Sequence, residues 1–214
     1  MKYQAVHAII YLAFSAATTL SVGCSGKPTA TKTANSSAEQ ASATIVAGIE
    51  PNEEQRQAML AAKELLFQRL SGRLMQAMGE QGPAAAITVC QTEAPQIAAD
   101  VSEQQGLSIG RTGVRLRNPN NQPPAWAKPL TDQKTDTPTF VTLSNGQAAA
   151  LLPIKLQGTC LMCHGPKEQI APLVAAQLAK LYPDDQATGF QEGELRGWFW
   201  IELPAGKKEI AQAL

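Results

Sequence analysis

Three residues with reactive side chains lie close together near the middle of the second half of the chain. Cys160 and Cys163 are three positions apart, and His164 follows the second cysteine directly. Two thiols at this spacing can add to the two vinyl groups of a haem, and the adjacent imidazole can bind its iron. The motif therefore predicts the attachment site of one covalent c-type haem.

The same residues are compatible with two other kinds of site. Cys160 and Cys163 could form a redox disulfide of the thioredoxin type, but that site opens a helix after a buried parallel strand, and no βαβ unit surrounds the motif. Alternatively, Cys90 could join Cys160, Cys163 and His164 in a Cys₃His zinc site. Adjacent residues such as Cys163 and His164 rarely both reach one small tetrahedral ion, which disfavours zinc.

Length and charge limit the remaining possibilities. The chain has 214 residues, enough for one domain, with 18 basic and 18 acidic side chains. This balance gives no indication of a nucleic-acid partner, and none is expected.

The N-terminus has the pattern of a targeting segment. An apolar run from Ala5 to about Leu20 follows Lys2, and small residues precede Cys24. The run is too short and too interrupted to indicate a membrane span. Residues 1–23 are predicted to be a signal peptide, cleaved before a lipid-carrying Cys24 as in a bacterial lipoprotein; an ordinary secretory signal is the alternative. Either signal places the protein outside the cytoplasm, on the periplasmic side, and the lipid anchor would hold it at a membrane.

Residues 24–50 are poor in large apolar side chains and rich in Ser, Thr, Ala and Lys. Such a segment cannot bury enough surface to order itself, which predicts a flexible tether. The folded domain is expected over residues 51–214. Since His7 lies in the signal peptide, His164 is the single histidine of the predicted mature chain.

Two helices are predicted at the start of this domain. Apolar residues at three- and four-residue steps over residues 59–77 indicate a long helix that ends at Gly79 to Gly82. Pro83 opens a second helix, whose apolar face includes Cys90, and Pro95 should kink or restart it.

The rest of the domain alternates strands with one helix. Strands are predicted over residues 107–117, 140–143, 148–156 and 195–203, with Asn145-Gly146 as the turn of a hairpin. A helix over residues 170–181 follows the motif and ends at Pro183. Its predicted apolar stripe consists of Ile170, Leu173, Val174, Leu178 and Leu181. The order predicts an α+β fold with an antiparallel sheet.

A six-coordinate iron needs a second axial ligand besides His164. The candidates are Cys90, a methionine, a weaker ligand such as a tyrosine, or water. Met59, Met75 and Met78 lie on or near the first helix, where methionine is usually core filler. Cys90 lies on an inward helix face and would bind as a thiolate.

Four segments together resemble a family of bacterial and cyanobacterial c-type haem domains. The resemblance covers about residues 51–205, and the segments are residues 89–95, residues 111–121 followed by Trp126, the motif at 160–164, and residues 193–197. It implies a PAS-like antiparallel sheet flanked by helices, with N-terminal helices, one covalent haem, and axial ligation by His164 and Cys90. Gly113 departs from the family, where Ser is expected.

Four arginines, at positions 111, 115, 117 and 196, are candidates for pairing with the haem propionates, because their forked donors suit carboxylates. A solvated strand face is the alternative for each of them, and Arg111 is the preferred candidate.

These residues predict a membrane-tethered protein for electron transfer or redox response. With both axial positions filled, the iron would exchange electrons with an unknown redox or signalling partner at a low potential. The alternative is a haem-based redox or gas sensor, in which reduction releases Cys90 and admits CO or NO. A peroxidase-like enzyme would need an open distal site with a general base, and the predicted mature chain has no second histidine, so no catalytic residue is assigned.

Overall fold

The structure is a computed structural model and describes residues 43–206. The predicted signal peptide, Cys24 and most of the predicted tether lie outside the described residues. In chain order the elements are β1 (Ile45–Val46), α1 (Glu53–Gln81), α2 (Pro83–Thr92), α3 (Ala94–Gln105), β2 (Ser108–Gly113), α4 (Lys128–Asp132), β3 (Thr139–Leu143), β4 (Ala148–Lys155), α5 (Leu161–His164), α6 (Pro172–Leu181) and β5 (Leu195–Leu203). Within residues 43–206, none of these helices combines the length and the apolar character that a membrane span requires.

The long helix α1 begins and ends at local signals in the sequence. The Asn52 side chain accepts a hydrogen bond from the backbone N–H of Gln55, and the Gln55 side chain accepts one from the N–H of Asn52. This capping box satisfies two helix donors that would otherwise lack partners. Gly82 ends α1 with a φ of 86°, which favours glycine, and Pro83 then opens α2.

The predicted break near Pro95 is confirmed. α2 ends at Thr92 and α3 begins at Ala94, with Glu93 between them. Arg73 of α1 holds this junction, because its Nε and Nη2 donate to the two carboxylate oxygens of Glu93 at 2.7 and 2.9 Å. The end of α2, which carries Cys90, is thereby fastened to α1.

All strands pair antiparallel in one five-stranded sheet with the order β1-β3-β4-β5-β2. The predicted hairpin between β3 and β4 is confirmed, and β5 lies between β4 and β2. Ile45 and Val46 of β1 pair with Leu143 and Thr142, although we placed both residues in the tether. These two β-branched residues satisfy the free edge of β3, so the sheet begins before the predicted boundary at residue 51.

The two faces of the sheet carry different layers. On one face Met59, Leu66 and Val101 from α1 and α3 pack against alternate residues of β4 and β5, such as Ala150 and Ile201. On the other face, the remaining alternate residues of the strands belong to a second hydrophobic cluster. Its buried members are Trp126, Ala127, Leu143, Ala149, Leu151 and Trp198. The mixed arrangement of helices and an antiparallel sheet confirms the α+β prediction, and the PAS-like assignment stays a prediction.

Two local predictions are wrong. β2 ends at Gly113, and residues 114–117 do not continue the strand. Arg117 turns inward, with 7% of its surface exposed, to reach an acidic side chain, and this breaks the alternation that a strand needs. Leu173 also departs from the predicted apolar stripe of α6, because 79% of its surface is exposed; Val174 and Leu178 form the buried face instead.

Candidate functional site

A cavity of about 390 Å³ lies between α1, α2, the ends of β2 and β4, and the segment that contains the motif. Cys90, Arg111, Cys160, Cys163 and His164 all line it, so the fold brings together every site residue that we predicted in the described part of the chain. The volume falls in the range of roughly 300–1,000 Å³ that is typical of small-molecule and cofactor sites.

The two motif cysteines lie on one short helical segment. A 3₁₀ turn over Gly158–Cys160 leads into α5, and the Cys160 N–H donates to the carbonyl of Gln157 at 2.9 Å. α5 ends at Gly165, where a Cβ would lie 2.6 Å from the carbonyl oxygen of Leu161, so a side chain does not fit. Cys160 and Cys163 are both free thiols, which leaves both sulfurs available for covalent attachment.

His164 is held as a neutral imidazole with one nitrogen free. Its Nδ1 lies 2.7 Å from the carbonyl oxygen of Ala187, which can only accept, so Nδ1 carries the hydrogen. Burial, and then the positive charges of Arg117 and Arg196, lower the pKa of His164 to about 3, against the opposing hydrogen bond to Ala187. The lone pair on Nε2 is therefore available to a metal, as in histidine ligands generally.

A buried ion pair behind His164 was not predicted from the sequence. Arg117 Nε donates to Asp185 Oδ2 at 3.0 Å, and the two side chains are 7% and 9% exposed. Arg117 Nη2 also donates to the carbonyl of Cys163 at 2.6 Å, and the N–H of Ala187 donates to Asp185 Oδ1 at 2.7 Å. Arg117 is thus engaged within the protein and is not on a solvated strand face. Arg117 and Asp185 are 68 positions apart in the chain, so no local pattern could have signalled the pair.

Cys90 is half-buried on α2 and lines the same cavity as the motif. Burial raises the pKa of its thiol, although the positive charges of Arg111, Arg117 and Arg196 act in the opposite direction. Cys90 is therefore a protonated thiol in the absence of a metal. A metal that binds Cys90 must displace this proton, because the thiolate is the ligand.

Two arginines present unpaired positive charge to the cavity. The Arg111 guanidinium donates no hydrogen bond to any residue in the described range 43–206, and burial lowers its pKa. Arg196 donates from Nη1 to the carbonyl of Arg115 at 3.0 Å, but its buried Nε has no hydrogen-bond partner in the described part of the chain. The buried hydroxyl of Thr112, which also lines the cavity, has none among these residues either. Buried donors of this kind need acceptors, and carboxylates suit arginine best.

The alternatives that we considered fare differently. Within residues 43–206, no three His, Cys, Asp or Glu side chains come together to hold a small metal ion, which disfavours the Cys₃His zinc site. Met59 of α1 is fully buried in the core and does not line the cavity. Met75, Met78 and Tyr182 line the cavity and stay possible axial ligands.

The fold is an α+β domain. Its cavity is lined by the two thiols of the motif, the neutral imidazole of His164, the third thiol of Cys90, and arginines without ion-pair partners among the described residues. Residues 27–204 match the Tll0287-like family, and the chain belongs to this family. The chain is also similar to a solved structure described as the crystal structure of the cyanobacterial heme-protein Tll0287, with 24% identity and a TM-score of 0.54. That similarity covers 76% of this chain and 100% of the other, and it establishes a shared fold. No curated protein matches the chain.

Proposed function

We propose that this protein carries one covalent haem c, attached through Cys160 and Cys163 and bound at the iron by His164. The observation that carries the proposal is the state of His164: Ala187 holds the hydrogen on Nδ1, and Nε2 is left free in the cavity that both thiols line. Family membership, and the description of the structurally similar protein as a heme-protein, support the same cofactor.

The residues around the cavity fit a haem in three respects. Apolar side chains form much of the wall, as a flat porphyrin requires; they include Leu70, Leu74, Met78, Ile87 and Phe199. The guanidinium groups of Arg111 and Arg196, which form no ion pair within residues 43–206, are suited to two propionates. The free sulfurs of Cys160 and Cys163 are one helical turn apart, which suits two vinyl groups.

Cys90 is the proposed second axial ligand. It lines the cavity together with His164, and it lies near enough to Cys163 for its charge to influence the pKa of that thiol. The neighbouring cations Arg111, Arg117 and Arg196 favour the thiolate, which partly offsets the cost of burying a negative charge. Met78 would bring no negative charge that these cations could stabilise. Tyr182 would bring one only as a tyrosinate.

Electron transfer or redox response is the function that this site supports best. A bound haem supplies a one-electron couple. Ligation by His164 and Cys90 would leave no open position for a substrate, and the protein is proposed not to be an enzyme. The negative charge of a Cys90 thiolate would favour ferric iron and hold the potential low. The electron partner would be another redox or signalling protein.

A redox or gas sensor is the second candidate, and the state of Cys90 favours it. Because burial raises the pKa of this thiol, protonation of Cys90 would compete with its binding to a metal. Loss of Cys90 on reduction would open an axial position to CO or NO. The signal would then pass to a partner protein.

Spectroscopy of the purified holoprotein tests both candidates. The electron paramagnetic resonance spectrum of the oxidised protein should show low-spin ferric iron with thiolate ligation. If the spectrum of the reduced protein is unchanged by CO, electron transfer is supported; ready CO binding supports the sensor. A colourless product, or a mass equal to that of the bare polypeptide after expression with a haem-attachment system, would refute both.

The cellular location is part of the proposal and concerns residues outside the described range. Cleavage before Cys24 and lipidation of its thiol would tether the domain to a membrane on the periplasmic side. Incorporation of a labelled fatty acid should be lost in the Cys24→Ala variant. Unchanged labelling of that variant would leave an ordinary secretory signal as the explanation of the N-terminal pattern.

A further inference from the structure

The ion pair between Arg117 and Asp185 lies behind His164, outside the set of proposed haem ligands. We infer that these two residues are positioning residues that control how strongly His164 donates electrons to the iron, and thereby set the reduction potential in opposite directions. This inference rests on the proposed haem function.

The contacts join the ion pair to both ends of the His164 hydrogen bond. Arg117 Nη2 donates to the carbonyl of Cys163, the residue directly before His164, at 2.6 Å. Asp185 Oδ1 accepts from the N–H of Ala187 at 2.7 Å, and Ala187 supplies the carbonyl that holds the histidine. The His164 ring and its acceptor are therefore oriented by the same ion pair.

The segment that follows Ala187 is also hydrogen-bonded to the motif and to the residue after it. The N–H of Gly189 donates to the carbonyl of Gly165 at 2.7 Å, and the N–H of Phe190 donates to the carbonyl of His164 at 3.0 Å. Ala187 is completely buried between these contacts. Its carbonyl consequently has little freedom to move away from the imidazole, and the ion pair decides how that oxygen is shared.

Two donors share the Ala187 oxygen. The Nδ1–H of His164 lies at 2.7 Å from it, and Arg117 Nη2 lies at 3.4 Å. Every fraction of the oxygen that Arg117 takes weakens the bond from His164, and a weaker bond gives the imidazole less negative character. Less electron donation disfavours ferric iron, so this contact raises the potential.

The charge of Arg117 shifts the reduction potential in the same direction as this contact does. Arg117 and Asp185 are almost completely buried, so solvent screens their charges little. The Arg117 cation disfavours the additional positive charge of ferric iron and raises the potential, whereas the Asp185 anion lowers it. The two residues should therefore have effects of opposite sign.

Potentiometry of holoprotein variants tests this inference. Relative to the unaltered protein, Arg117→Gln should shift the equilibrium towards ferric iron by about tenfold, which is 59 mV lower for a one-electron couple. Asp185→Asn, which keeps the shape of the side chain, should shift it towards ferrous iron by a similar factor. The exposed residues Arg69 and Asp132 provide matched controls, and Arg69→Gln and Asp132→Asn should leave the potential unchanged.

A purely structural role predicts a different pattern, in which both variants lose stability and their potentials move together or not at all. Either pattern would overturn the inference. If Arg117→Gln does not fold, Arg117→Lys takes its place, because it retains the positive charge but not the fork. Its potential should be lower than that of the unaltered protein by less than the tenfold shift expected for Arg117→Gln, and Asp185→Asn alone still decides the sign. The mass of each product separates the two proposals: absence of haem from the unaltered protein refutes the proposed function, whereas attached haem with unchanged potentials refutes only this inference.

Discussion

Replacement of Cys90 by alanine tests the axial ligand most directly. The change removes one sulfur from a half-buried position, and the loss of a group of this size costs about 1 kcal/mol of folding free energy. Domains of this kind are stable by roughly 5–15 kcal/mol, so Cys90→Ala should still fold. Because Cys160, Cys163 and His164 are unaltered, the haem should still be attached covalently.

The reduction potential, in contrast, should change substantially. In the proposed site, a Cys90 thiolate would place one negative charge beside the iron, in a cavity that is only partly accessible to solvent. Two unit charges about 4 Å apart interact by about 4 kcal/mol at an effective dielectric constant of 20. At 1.36 kcal/mol per tenfold change and 59 mV per tenfold change, this corresponds to a rise of roughly 170 mV in Cys90→Ala.

Electronic absorption and electron paramagnetic resonance of the ferric protein, together with spectroelectrochemical titration, measure both effects. Met78→Leu and Tyr182→Phe serve as controls, because these residues line the same cavity and are the alternative ligands. Their spectra should match that of the unaltered protein. A Cys90→Ala spectrum identical to that of the unaltered protein, or a changed spectrum in either control, would show that the ligand assignment is wrong.

Three further predictions follow from individual contacts. Gly197→Ala should destabilise the domain by about 1–3 kcal/mol, because a Cβ there would lie 2.1 Å from the Thr112 carbonyl oxygen on the neighbouring strand. Thermal unfolding measures this loss. The control Gly72→Ala in α1, where a Cβ meets nothing within 4 Å, should not destabilise the domain. Arg111→Gln should lower the reduction potential, because it removes a half-buried cation that has no ion-pair partner within residues 43–206 and that would disfavour ferric iron. An unchanged potential would place this arginine away from the haem. In the polypeptide produced without haem, the pKa of His164 is about 3, below the ordinary value of 6.5, so between these values the unfolded state binds a proton that the folded state does not. The free energy of unfolding, measured with urea, should therefore be constant above about pH 6.5 and fall as the pH decreases towards 3. The variant His164→Gln should abolish this dependence.

Local patterns predicted most of the secondary structure. The helix end near Gly82, the proline at position 83 and the break near Pro95 are signals that involve neighbouring residues only, and the structure confirms each of them. The hairpin around Asn145-Gly146 is confirmed for the same reason. Turn and cap chemistry depends on a few adjacent residues, so tertiary contacts rarely override it.

The prediction of a strand over residues 114–117 is wrong because a tertiary contact overrides the local pattern. Alternation of apolar and basic residues normally places the basic ones in solvent. Arg117 instead finds a buried acceptor in Asp185, and Arg115 lies over the ring of Phe190, with 3.9 Å between its guanidinium carbon and the ring centroid. A buried ion pair and a stacked cation compensate the arginines for the loss of water, and the strand ends at Gly113.

By itself, the sequence determined the chemistry that this protein can carry. The spacing of Cys160, Cys163 and His164 along the chain is fixed by covalent bonds, and the tertiary structure cannot change it. The tertiary structure decided the environment of that chemistry. It alone placed Cys90 in the same cavity and put Ala187 and the Arg117–Asp185 pair behind the histidine. It also left Arg111 and Arg196 without an ion-pair partner among residues 43–206. These groups are far apart along the chain, and only the packing of helices against the sheet excludes water from them and makes their charges and hydrogen bonds strong.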